Sequence, residues 1–188
     1  MMRLFIALPL PKSVEEYLAK LIADLRAKGG SVKWVDAHLI HLTLRFLGDT
    51  EEALVPKLQR AIDDLAAHHL IVRSNIDRLG VFPNIKRPNV IWVGLHRNAD
   101  LLAEMNVDIE KSVREFGFEP DNKMFKVHLT LGRVKDQHNL TPLTDYLQSY
   151  RITPVAVDFD RVILFRSTLT PQGPIYQSLH QAQLQPLP

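Results

Sequence analysis

The segment HLTL occurs at residues 41–44 and again at residues 128–131 of a chain of 188 residues. Alternate side chains of a β-strand point to opposite faces, so each histidine would share a face with the threonine two positions later. A helix would separate the two by about 200° and leave no common polar face. Each segment is therefore predicted to be a strand whose leucines pack under a helix and whose polar face lines a cleft.

The repetition extends to the surroundings of the two segments. Gly29 ends a predicted helix and precedes His41 by 41 − 29 = 12 positions, whereas Gly117 ends another and precedes His128 by 128 − 117 = 11. Each HLTL segment is followed by a further predicted helix and then by two strands. The chain is thus predicted to consist of two similar halves.

Two hexapeptides support this interpretation, because DRLGVF at 77–82 is similar to DRVILF at 160–165. The predicted organisation is a single bilobal domain over residues 1–188, with pseudo-repeats at about 12–95 and 99–182. The predicted fold class is α+β. It is a pseudo-symmetric duplication in which two antiparallel sheets face a central cleft and helices lie on the outside.

Helical periodicity predicts four helices, of which the first has the clearest signals. Ser13 and Glu16 are spaced as a capping box at its start, and Gly29 and Gly30 follow its end. In the second helix Pro56 is an awkward residue for the first turn. The apolar stripe of the first helix consists of Val14, Leu18, Leu21, Ile22 and Leu25.

Composition excludes several classes of protein. The chain has no cysteine, which excludes disulfides, thiolate catalysis and cysteine-ligated zinc, and a reducing cytoplasm is the expected location. The formal net charge of +2 fits an anionic ligand but not a polybasic tail. No run of about 18 apolar residues predicts a membrane span.

The predicted cleft brings His41 and Thr43 opposite His128 and Thr130. Imidazole titrates near neutral pH, so one histidine can accept a proton while the other donates one. The hydroxyls can donate hydrogen bonds to the nonbridging oxygens of a bound anion. This set suits in-line attack at phosphorus without a cofactor or metal, and the residues alone leave open which histidine is the acid.

Two further residues are candidate substrate contacts. By strand alternation Arg45 shares the face of His41 and would approach a phosphate, although a solvated arginine is an equally good interpretation. Phe5 could line the cleft and stack on a base, and its alternative is a buried position in the first strand. The histidine spacings predict no metal site, because no third ligand accompanies them.

Four blocks carry a resemblance that covers nearly the whole chain. They are RLFIALPLP at 3–11, HLTLRFLGDT at 41–50, HLTLGRV at 128–134 and LFRSTLTPQGPIYQSL at 164–179. On these blocks the chain resembles the two-histidine phosphoesterases, and within them the RNA 2′,3′-cyclic phosphodiesterases, also called 2′-5′ RNA ligases. It departs from the family pattern at Val127, where members usually carry proline, but this change removes no reacting group.

The resemblance implies a role for each matching residue. His41 would be the general acid that protonates the departing 3′ oxygen, and His128 would be the general base for water. Thr43 and Thr130 would hold the phosphate, and Arg133 would neutralise its charge. By simple alternation Arg133 points away from His128, so this role needs a bulge, a strand end or a long reach.

The implied reaction opens a 2′,3′-cyclic phosphate to a 2′-phosphate, and its reverse would join RNA ends through a 2′-5′ linkage. The expected partner is RNA with such an end, tRNA fragments among the candidates, and the expected assembly state is a monomer with no membrane association. Two alternatives stay open. One is an RNA- or nucleotide-binding module without turnover, and the other is a phosphodiesterase for a small cyclic nucleotide.

Overall fold

The computed structural model describes residues 1–188, which form nine strands and four α-helices. In chain order these are β1 (Met2–Pro9), α1 (Lys12–Arg26), β2 (Val32–Trp34), β3 (His41–Thr50), α2 (Val55–His68), β4 (Val72–Phe82), β5 (Val90–Leu95), α3 (Ala99–Arg114), β6 (His128–Val134), α4 (Thr141–Ser149), β7 (Val155–Phe159), β8 (Arg161–Thr170) and β9 (Gly173–Gln183). The α+β class is therefore confirmed.

The strands form two antiparallel sheets. Sheet A has the order β3-β1-β8-β9, and sheet B has the order β2-β6-β5-β4-β7. The two strands that begin with HLTL lie in different sheets, and β3 and β6 contact each other. Helices α2 and α3 pack on sheet A, and α1 packs on sheet B. The predicted pair of antiparallel sheets with outer helices is confirmed.

The two sheets are related by pseudo-symmetry. In sheet A the central strand β1 lies between β3 and β8, and in sheet B the corresponding strand β5 lies between β6 and β4. Sheet A combines β1 and β3 with β8 and β9, and sheet B combines β2, β4 and β5 with β6 and β7. Each sheet thus takes strands from both halves of the sequence. The repeat boundaries near 12–95 and 99–182 stay a prediction.

The start of helix α1 differs from the capping box that the sequence predicts. Helix α1 begins at Lys12 after Pro11, and no side chain caps its first turn. The predicted capping box of Ser13 and Glu16 is wrong, because the helix starts before Ser13 and places this residue inside the first turn. Pro56 lies at the start of α2, where the missing N–H removes no intrahelical bond. The apolar stripe of α1 is buried, as predicted.

No α-helix in the structure combines the length and the hydrophobicity that a transmembrane span requires.

Candidate active site

Strand alternation holds through both HLTL segments. The four leucines are at most 2% exposed, and the histidines and threonines are half-buried on the opposite face of each strand. The burial of Leu42, Leu44, Leu129 and Leu131 anchors both strands in the core. Each strand therefore presents its imidazole and its hydroxyl on one common face, as predicted.

A β-bulge follows the first segment. Two successive residues of β1 pair with Thr43 and Arg45, so Leu44 has no partner in the ladder. A bulge reverses the alternation beyond it. As a result Arg45 turns toward the buried face, and Phe46 takes the cleft face that Arg45 was expected to occupy.

Arg45 thus does not share the face of His41, which corrects the expectation from simple alternation, and its role as a substrate contact stays a prediction. Its side chain is buried, and the residue is 7% exposed. The guanidinium forms an ion pair with Glu110 of α3 at 2.6 Å and lies 3.6 Å from Asp121. It also donates a hydrogen bond to the carbonyl of Glu119. Arg45 therefore connects β3 to α3 and to the loop that leads to His128.

An equivalent bulge follows the second segment. Two successive residues of β5 pair with Thr130 and Gly132, so Leu131 has no partner in the ladder. The reversal returns Arg133 to the face of His128. The predicted role of Arg133 required a bulge, a strand end or a long reach, and the structure has the bulge. The positive charge of Arg133 lowers the pKa of His128.

His41 lies in an aromatic environment. Its ring stacks on Phe5 with centroids 4.8 Å apart, and the edge of Tyr176 approaches at 5.5 Å. Burial lowers the pKa of His41 to about 4, although the hydrogen bond to the carbonyl of Leu39 acts in the opposite direction. His41 is therefore neutral at pH 7.

His128 has an aromatic neighbour and two cationic ones. The edge of Phe82 lies 5.1 Å from its ring. Burial lowers the pKa of His128, the hydrogen bond to the carbonyl of Lys126 raises it, and the charges of Lys126 and Arg133 lower it further. The cations near His128 distinguish it from His41, for which burial is the one cause that lowers the pKa.

The two imidazoles have the same tautomer. Nδ1 of His41 lies 2.8 Å from the carbonyl oxygen of Leu39, and Nδ1 of His128 lies 2.6 Å from that of Lys126. A carbonyl oxygen only accepts hydrogen bonds, so Nδ1 carries the proton in both rings. Nε2 is then the nitrogen of each ring that can exchange a proton with a ligand.

Phe5 takes the alternative position that the sequence left open, buried in the first strand. The residue is 2% exposed. Its ring centroid lies 4.8 Å from that of His41 and 5.1 Å from that of Phe165. The buried ring therefore supports His41 and offers almost no surface on which a nucleobase could stack.

Sequence reasoning missed several aromatic residues of the cleft. Phe82 lies against His128, and Phe165 lies in the cluster around His41. These two phenylalanines end the hexapeptides DRLGVF and DRVILF, so the similarity of the hexapeptides could have identified them. Phe46 had no such signal, because its orientation depends on the bulge.

Metal-ligating side chains are dispersed in this structure. No group of three or more histidine, cysteine, aspartate or glutamate side chains lies close enough to hold one metal ion.

Two pseudo-symmetric sheets with contacting His-x-Thr strands agree with the resemblance of the chain to the two-histidine phosphoesterases. Comparison with known families agrees with this class. The family model described as LigT like Phosphoesterase matches the chain twice, over residues 8–92 and 93–176. The chain belongs to the LigT-like phosphoesterase family.

Known relatives align over nearly the full length. The RNA 2′,3′-cyclic phosphodiesterase of Methanocaldococcus jannaschii is 33% identical, with 96% of this chain and 99% of the relative covered. The protein of the same name from Aquifex aeolicus is 32% identical, with 97% of each chain covered. Among solved structures, TT0787 of Thermus thermophilus has a TM-score of 0.80 and 28% identity, covering 98% of this chain and 99% of its own. E. coli LigT, at 21% identity, shares the fold with a TM-score of 0.76 over 97% of this chain and 98% of its own.

Proposed function

We propose that this protein hydrolyses the 2′,3′-cyclic phosphate at the end of an RNA chain and leaves a 2′-phosphate, without a metal ion. One observation supports the proposal above all. Two imidazoles on contacting strands have the same Nδ1-bound tautomer, but the charges of cationic side chains lower the pKa of His128 and not that of His41. The names of the full-length relatives support the same substrate class.

The base is assigned to His128. Lys126 and Arg133 lower its pKa, so they favour the neutral ring with a free lone pair on Nε2. In the proposed step this nitrogen takes a proton from water while the water oxygen bonds to phosphorus. Thr130 lies on the same face, where its hydroxyl can donate to a nonbridging oxygen.

The acid is assigned to His41. A bound cyclic phosphate brings a negative charge into the aromatic environment of this ring and raises its pKa. Nε2 then carries a proton, which it gives to the 3′ oxygen as the bond between phosphorus and that oxygen breaks. The products are a 2′-phosphate and a 3′-hydroxyl, so protons and bonds balance. Thr43 and Arg133 complete the set of donors to the phosphate.

The same steps in reverse would join a cyclic phosphate end to a 5′-hydroxyl with a 2′-5′ linkage. Water is in large excess, so hydrolysis is favoured unless two RNA ends are held together. One chain supplies both histidines, so a monomer is sufficient. RNA with a cyclic end, tRNA fragments included, is the proposed substrate, and the cytoplasm is the proposed location.

Product identity in the presence of EDTA tests the proposal. We expect a 2′-phosphate from a nucleoside 2′,3′-cyclic phosphate, detected by phosphorus NMR. Turnover should fall by at least about a hundredfold in His41→Ala and His128→Ala, whereas the exposed His68→Ala on α2 should keep wild-type activity. A 3′-phosphate product, dependence on added metal, or unchanged turnover in both active-site variants would reject the mechanism. Binding without any product would favour the nucleotide-binding alternative.

A further inference from the structure

Sheet B carries an additional strand at the edge of the cleft that has no counterpart in sheet A. This strand, β2, pairs with β6, and Lys33 lies directly opposite Arg133 in the register. Residues directly opposite each other in an antiparallel pair point to the same face of the sheet. Lys33 therefore lies on the cleft face, beside the arginine that the proposed function assigns to the reacting phosphate.

Lys33 is exposed and has no acidic partner. The ion pairs of the structure all involve other residues, so no carboxylate lies within 4.0 Å of the charged groups of Lys33, Lys126 or Arg133. The backbone N–H of Lys135 donates to the carbonyl of Ser31, so the ladder between the two strands continues beyond Arg133. The outer edge of sheet B is therefore a cationic strip without neutralising groups.

The opposite wall of the cleft has different chemistry. At the position of Arg133, sheet A presents Phe46, an exposed aromatic side chain. At this pair of equivalent positions one wall thus offers positive charge, and the other offers a surface on which a base can stack. This difference suits a single-stranded nucleotide chain, whose phosphates and bases point in different directions.

We infer that Lys33 binds the phosphodiester that precedes the cyclic end, so that the cleft recognises at least a dinucleotide. The inference rests on the proposed function, because it adds one phosphate to the RNA end that Arg133 is proposed to bind. Side chains directly opposite each other on paired strands have Cβ atoms about 5 Å apart, so the two cations can hold different phosphates. Lys33 contacts no reacting atom and is a specificity-determining residue.

Comparison of two substrates tests the inference. For a dinucleotide with a 2′,3′-cyclic end, kcat/KM should fall by about tenfold in Lys33→Ala, which is the usual effect of one charge-assisted contact. For the mononucleoside cyclic phosphate it should stay within about twofold, since this substrate lacks the preceding phosphate. The slope of log(kcat/KM) against log salt for the dinucleotide should become shallower by about 0.7, the value for one phosphate of a single strand.

Two controls isolate the contact. Lys20→Ala removes an exposed charge from α1, on the outer side of sheet B, and should change neither substrate. A dinucleotide with an uncharged methylphosphonate linkage should react equally well with the wild type and with Lys33→Ala. Lys33→Arg should restore most of the preference for the dinucleotide.

The outcomes separate this inference from the proposed function. If the wild type hydrolyses both substrates and Lys33→Ala affects them equally or not at all, the inference is wrong and the hydrolase assignment stands. If the wild type hydrolyses neither substrate, the proposed function itself fails.

Discussion

Phe46 and Arg133 occupy equivalent positions in the two walls of the cleft. Each is the fifth residue after its histidine, since 46 − 41 = 5 and 133 − 128 = 5, and each follows a β-bulge. The equivalent backbone therefore carries an aromatic ring on one side and a guanidinium on the other. This difference breaks the pseudo-symmetry of the two strands, and we expect it to favour one orientation of a substrate with one charged end.

Replacing Phe46 by alanine should weaken the reaction of nucleotides. The residue is 58% exposed, and its ring lies 5.8 Å from Phe5, so one face is available to a base. Stacking of a base on an aromatic side chain contributes about 1–3 kcal/mol. We expect kcat/KM for nucleoside 2′,3′-cyclic phosphates to fall by about tenfold or more. Phe46→Tyr should retain wild-type values.

A substrate without a base is the matched control for Phe46. Ribose 2′,3′-cyclic phosphate should react equally well with the wild type and with Phe46→Ala. A loss of the same size on this substrate would assign the effect to distortion of β3 and not to stacking.

The pH dependence of the reaction should differ between the free enzyme and the complex. Burial lowers the pKa of His41 to about 4 and also lowers the pKa of His128, so the empty site holds two neutral rings at pH 7. A bound phosphate anion raises both pKa values. Because kcat/KM reports the free enzyme and kcat the complex, the alkaline limb of kcat should lie at higher pH. Coinciding alkaline limbs in the two profiles would contradict this account.

The shared face of His41 and Thr43 could be predicted from the sequence because it depends on alternation within one strand. The orientation of Arg45 could not, because a bulge is a property of two paired strands and not of one. In the second strand Gly132 is a weak sequence signal of a close approach, because a Cβ atom there would lie 2.8 Å from the side chain of Trp34. The glycine permits the close approach of β2, which in turn brings a lysine to the edge of the cleft.

The presence of two HLTL strands could also be predicted from the sequence, but the composition of each sheet could not. Strand β8 joins the sheet of β1, although the two lie at opposite ends of the chain. Local patterns contain no information on this pairing, because any buried strand with alternating residues could occupy the position. The resemblance between the hexapeptides indicated that β4 and β8 are equivalent without showing which sheet contains either.

The low pKa of His41 should make the protein less stable in acid. The unfolded chain binds a proton at this histidine near pH 6.5, whereas the folded protein does so only near pH 4. Stability is therefore lost as the pH falls from about 6.5 to about 4, and the loss should reach about 3 kcal/mol.

Urea unfolding at a series of pH values tests this prediction. His41→Gln should lack the part of the pH-dependent loss of stability that His41 causes. His68→Gln, which removes an exposed imidazole on α2, should follow the wild type. Parallel curves for the wild type and His41→Gln would show that His41 is not buried in the neutral form.

Removing the charge of Arg45 should destabilise the fold and loosen the loop before His128. Arg45→Met would leave the carboxylate of Glu110 without its partner at 2.6 Å, and loss of one member of a buried pair costs about 3 kcal/mol or more. Arg45→Met combined with Glu110→Gln should recover part of this loss in urea unfolding, because the carboxylate of Glu110 is then no longer left without a partner.

A surface pair provides the control for Arg45. Arg73 and Asp158 lie 3.8 Å apart and are mostly exposed, so Arg73→Met should cost less than about 1 kcal/mol. Because Arg45 also donates to the carbonyl of Glu119, amide hydrogen exchange in residues 119–127 should become faster in Arg45→Met and stay unchanged in Arg73→Met. Equal stability of the two single variants would mean that the buried ion pair does not hold this loop, and the position of His128 would then depend on β6 alone.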